Sequence, residues 1–146
     1  MPLQLLRLAE REGVIVEYWD LKDPLEAIYW YEAGRATIGL SESLLNNRAH
    51  YRTVFAEELG HHFTTARDCF PDTYFHYRDR VNISREECRA LKWAATHLIS
   101  EDRLYLAFQK NVHEPWRLAS YFGVDESLVV FRLRLLRIQS KERRLK

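Results

Sequence analysis

The pattern of side chains changes character near Asn47, and that switch constrains the fold more than any other feature of the 146-residue chain. Before it, Val14-Ile15-Val16-Glu17-Tyr18-Trp19 and Ala27-Ile28-Tyr29-Trp30-Tyr31 are rich in the β-branched and aromatic residues that suit a pleated surface. After the turn-like Glu32-Ala33-Gly34-Arg35, the strand pattern resumes in Ala36-Thr37-Ile38-Gly39-Leu40, which predicts a hairpin and a small antiparallel sheet of about three strands. Beyond Asn47, Tyr51, Phe55, Leu59 and Phe63 recur at helical spacing and predict a helix to about Ala66. A short helix from Leu3 to Arg11, closed by Gly13, opens the chain. Residues 67–84 have aromatics and a proline but no period, so they read as a structured loop. Ser84 then begins a helix to about Ile99, and two or three more helices follow. The expected class is α+β, a small sheet packed against a helix bundle.

This length suits one domain, residues 1–146, with a core built without crosslinks. Residues 1–66 supply the first helix, the sheet and the central helix, 67–84 the loop, and 85–146 the remaining helices. Apolar residues at 47% and charged ones at 29% give a globular balance rather than that of a disordered chain. Cys69 and Cys88 have no CxxC spacing, which argues against a thiolate metal cluster or a disulfide framework. With neither an export-type N-terminus nor an apolar run long enough to span a membrane, the expectation is a cytoplasmic protein without a membrane partner. A net charge of +1 excludes the whole molecule as an electrostatic glove for nucleic acid. Residues 131–146 are nevertheless basic, with Arg132, Arg134, Arg137, Lys141, Arg143, Arg144 and Lys146 against Glu142. Such a run complements a helix C-terminus or offers a contact surface.

The central helix carries the chemistry. At about 100° per residue, Glu57, Glu58 and His61 fall within roughly a quarter turn beside the Tyr51–Phe55–Leu59 stripe. Residues four apart stack on a helix, so Glu57 and His61 can converge on one ion while Glu58 reaches its water. Gly60 costs a helix about 1 kcal/mol relative to Ala and so points to the close approach of another segment or a substrate. A solvated acidic patch with an incidental histidine pair has the same spacing, so EExxH by itself does not decide. His62 lies close to the apolar stripe and reads as a buried, hydrogen-bonded histidine. Glu87 has a local explanation as well, since Ser84-Arg85-Glu86-Glu87 spells a capping box.

The run Phe55-Ala56-Glu57-Glu58-Leu59-Gly60-His61-His62-Phe63-Thr64-Thr65 resembles the active-site helix of the ImmA/IrrE family of metallopeptidases, whose usual motif is HExxH. The segment Glu87-Cys88-Arg89-Ala90-Leu91-Lys92-Trp93-Ala94-Ala95 resembles that family's later glutamate helix. The resemblance implies a zincin-like fold in which His61 and Glu87 are metal ligands and Glu58 is the catalytic base. Glu57 takes the place of the first histidine ligand, and Glu86 is the alternative to Glu87 should that helix begin a residue later. Zinc is the implied ion, with manganese or iron(II) admitted by an oxygen-rich set. The implied substrate is a helix-turn-helix repressor of a prophage or mobile element. His76 or Tyr77, on the loop facing the site, are candidates to hydrogen-bond a tetrahedral intermediate.

Near the C-terminus, Ala119, Gly123 and Val129 have the spacing of a helix-turn-helix, which serves any tight helical hairpin equally. Nucleic acid is not the expected partner. The alternatives to a repressor-cleaving protease are a catalytically inactive partner-binding module and a DNA-associated regulator using these helices.

Overall fold

The structure is a computed structural model that describes residues 3–65 and 73–144. Cys69 lies outside them, and Cys88 is free and exposed. The chain divides into two compact units, residues 1–94 and 95–146. Among the described residues there are six helices and one four-stranded sheet, an α+β architecture. None of these helices is long and apolar enough to cross a membrane.

The first unit opens with α1 (Leu3–Arg11), which buries Leu5 and Ala9. Gly13, at φ 72°, takes the left-handed conformation expected of the residue that ends this helix. Strands β1 (Ile15–Trp19), β2 (Leu25–Glu32) and β3 (Arg35–Ser41) follow. The expected β2–β3 hairpin forms, with Ala33 and Gly34 both at positive φ, as a turn matched to strand twist demands. The sheet is otherwise larger and less uniform than the pattern suggested. It is mixed, in the order β1-β3-β2-β4, with β1 parallel to β3, and the fourth strand β4 (Thr73–Tyr77) comes from the stretch expected to be loop. Strand β1 could not reveal its direction locally, because a parallel pairing is a property of the connection and not of the strand.

Ala27, Tyr29, Ile38 and Leu40 form one buried face of the sheet. On the other face the Trp19 ring covers Gly39, where an added Cβ would lie 2.5 Å from Cζ3, and Trp19 stacks on Trp30. Helix α2 (Arg48–Thr64) packs on β2 and β3. Asn47 caps it by accepting from the His50 N–H. The apolar stripe is buried as far as Leu59, whereas Phe63 is 38% exposed and stacks on Trp93. More telling is that every residue from Thr53 to His62 is buried, polar ones included. Helix α2 is therefore enclosed on all sides through its centre.

Helix α3 (Arg85–Leu98) explains Gly60. A Cβ at Gly60 would stand 2.9 Å from Ala90 Cα and closer still to its carbonyl oxygen, so the missing side chain lets the α3 backbone lie directly against α2. One turn before that contact α3 carries Glu87.

The second unit contains α4 (Glu101–Gln109), α5 (Pro115–Phe122) and α6 (Glu126–Arg144). Leu104, Leu118, Phe122, Val124, Leu128 and Val129 are buried in it. Gly123, at φ 66°, ends α5 and turns the chain into α6, giving the tight helical hairpin read from the Ala119–Gly123–Val129 spacing. Arg132, one of the basic run, is buried and donates from Nε to the Ile99 carbonyl at 2.7 Å.

Candidate functional site

Burial of the α2 centre places Glu57, Glu58 and His61 in the interior, each no more than 2% exposed. Strand β4 faces them. Its period-2 pattern turns Tyr74 and the buried His76 inward and Phe75 and Tyr77 outward. The Tyr74 ring stacks on His61 at 4.1 Å between centroids, fixing the imidazole plane. His76 Nδ1 stands 3.0 Å from Glu57 Oε2 and 3.6 Å from Glu58 Oε1 without completing a hydrogen bond to either. Of the two residues suggested by the loop reading, His76 reaches the site. Tyr77 points outward and is 44% exposed.

Two further residues had no signature in the sequence. Glu26 sits where the β2–β4 register shifts by one residue, and this bulge turns its carboxylate inward beside the apolar Ala27. It lies 2.8 Å from His50 Nε2 and 3.6 Å from His76 Nε2, so a chain of acids and imidazoles runs from the partly exposed His50 to the Glu57–Glu58 pair. An acid next to the apolar Ala27 and Ile28 at the start of that strand was the available hint. Arg80, in the irregular segment between β4 and α3, donates from Nη2 to Glu57 Oε1 at 2.5 Å and from Nη1 to Glu87 Oε2 at 3.1 Å. Its guanidinium thus joins the two acids that the resemblance makes metal ligands.

Glu87 resolves the overlap between capping and site roles. Its backbone N–H donates to Ser84 Oγ at 3.1 Å, half of a capping box, while its carboxylate accepts from Arg80. Glu86 is exposed. His62 is buried against Tyr29, with the Tyr29 hydroxyl 3.2 Å from Nδ1, as expected of a structural histidine.

The electrostatics separate the two adjacent acids. Burial alone would raise Glu57, but His76 and the Arg80 guanidinium beside it hold its carboxyl below the usual range. Glu58 is pushed well above that range, first by burial and then by the charges of Glu57 and Glu87, with Arg80 opposing. Burial also lowers His61 to about 4, against the pull of Glu57, so its imidazole is neutral at pH 7. A neutral imidazole is the form that donates a lone pair to a metal.

Enclosed carboxylates and imidazoles, brought together by a helix and a facing strand, are donor groups of the kind that metal-dependent enzymes use. The particular lineage comes from comparison with protein families: residues 9–134 match peptidase M78, described as the IrrE N-terminal-like domain, and the chain belongs to this family of metallopeptidases. A search of curated proteins returns no match.

The family implies a metal ion, and the residues suit one in kind. Both oxygens of Glu58 and the Nδ1 atoms of His61 and His76 are buried without a hydrogen-bond partner. Such orphaned groups are costly unless a cation or a proton satisfies them. Among the described residues, no group of three or more His, Cys, Asp or Glu is gathered closely enough to ligate an ion. The Arg80 guanidinium, a cation supplied by the chain itself, pairs with both Glu57 and Glu87.

Proposed function

We propose that this chain is a metal-dependent endopeptidase of the zincin type, acting in the cytoplasm as a single functional domain, and that its substrate is a helix-turn-helix repressor of a prophage or mobile element. Glu57, His61 and Glu87 would hold the ion. Zinc is favoured, and two carboxylates with one imidazole also suit manganese or iron(II). The observation that carries this reading is Glu58, a buried acid with no hydrogen bond to either oxygen beside a neutral His61 whose Nδ1 likewise has none.

When bound, a divalent ion supplies Lewis acidity that polarises the scissile carbonyl and acidifies water. Glu58 contributes the proton movement, accepting a proton from the attacking water at a free carboxylate oxygen and returning it to the leaving amine. Tyr74 keeps the His61 ring in place by stacking, and the enclosure of α2 keeps bulk water from these groups. The repressor as substrate rests on the motif resemblance.

The test is metal content followed by cleavage. Purified protein should bind zinc at about one ion per chain, and His61→Ala should bind none. Glu58→Gln should retain the zinc and lose proteolysis of the repressor. Cleavage by Glu58→Gln at the parental rate would remove Glu58 from the mechanism. A second reading, a catalytically inactive partner-binding module, draws on the Arg80 guanidinium between Glu57 and Glu87. It predicts no zinc uptake by either the parent or an Arg80 variant.

A further inference from the structure

Two acids from different elements, Glu57 on α2 and Glu87 on α3, are held together by one cationic side chain whose guanidinium gives a separate nitrogen to each. Glu57 is 1% exposed at its side chain, and Arg80 is 17% exposed, so the pairing is largely shielded from solvent. Leaving Glu57 ionised there without a positive partner is strongly unfavourable. Arg80 also stands on an irregular segment: residues 78–84 form neither helix nor strand, residues 81–84 are exposed, and Val81 is 91% exposed. Displacing the guanidinium disturbs little packed core.

We propose that Arg80 is an internal counter-cation that occupies the position between Glu57 and Glu87, and that a metal ion must displace it, so that the arginine acts as a latch on metal loading. The inference rests on the ligand roles given to Glu57 and Glu87. With the latch closed the acids are satisfied by the chain itself. Because only the fraction of molecules with the latch open is competent to bind, the apparent affinity for the ion is reduced by that fraction.

The test measures zinc affinity by competition with a chromophoric chelator, for the full-length parent and for Arg80→Ala. In the parent, phenylglyoxal labelling of Arg80, with and without zinc, is followed by peptide mass spectrometry. The latch predicts at least about a tenfold tighter affinity in Arg80→Ala, and Arg80 in the parent protected without zinc but labelled with it. The labelling arm uses unaltered protein, so it stands even if the variant folds poorly. It also separates displacement from a simple gain in negative charge, which would tighten binding without exposing Arg80. Equal affinities, or labelling that zinc does not change, would overturn the latch and leave the metal centre standing. Zinc bound by neither protein would overturn both.

Discussion

Glu58 and His61 lie three residues apart on one helix that is enclosed through its centre, and their protonation follows from that enclosure. The Glu58 carboxyl is raised above its ordinary 4.5 in the folded chain, so the stability it contributes is fully present below pH 4.5 and lost as pH rises towards the folded value. In metal-free protein, Glu58→Gln removes this loss. The variant should melt above the parent at pH 7, and the gap should close as the pH falls to about 4. Thermal melts across that range in the presence of chelator provide the check, and a gap that does not vary with pH would contradict the assignment. With zinc restored, the same variant should cleave the repressor about 10²- to 10⁴-fold more slowly than the parent. The EExxH spacing made Glu57, Glu58 and His61 legible as one face of one helix. That they are buried was not legible, because exposure depends on what lies opposite.

Among the elements, the contact of α2 with α3 carries the tightest constraint. Gly60→Ala gains helix propensity of about 1 kcal/mol but drives a methyl group into the Ala90 backbone, which cannot move as a flexible side chain could. The expected result is a net loss of about 1–3 kcal/mol, typical of overpacking. Urea denaturation should show it, together with weaker zinc binding because Glu87 rides on the displaced helix. Unchanged stability would mean that the helices separate without cost. Helices α1, α2 and α3 were readable because caps and 3.6-residue periods are local signals. Strand β4 was not, since its five residues follow an aperiodic stretch and acquire their alternation only by pairing with β2. The same pairing creates the bulge that turns Glu26 inward.

On the scale of the whole chain, the family match spans residues 9–134 and therefore reaches into both compact units. The basic stretch beginning at Phe131 is less available for phosphates than its composition suggested, because Arg132 is spent on the Ile99 carbonyl in the interior of the second unit. Binding to duplex DNA that falls steeply and log-linearly with salt is therefore not expected at physiological ionic strength. Tight, salt-sensitive binding in a fluorescence titration would move the regulator reading to first place. If the tail docks the protein substrate instead, removing residues 139–146 should slow repressor cleavage. A short peptide spanning the cut site should still be processed at the parental rate, since Glu57, Glu58, His61 and Glu87 all lie within the first unit.

What the sequence determined by itself was the order of elements, the hairpin turn at Ala33-Gly34, the central helix with its acid pair and histidine, and the glycine that admits a neighbouring backbone. Each is written in residues a few positions apart, where steric preference and helical or strand period act directly. Tertiary structure alone decided the parallel β1–β3 pairing, the fourth strand, the placing of Glu26 beside His76, and the arrival of Arg80 at Glu57. Arg80 is 23 residues from Glu57 in the chain. No local propensity encodes that meeting, which comes about because buried carboxylates require a positive partner and the folded chain brings one within reach.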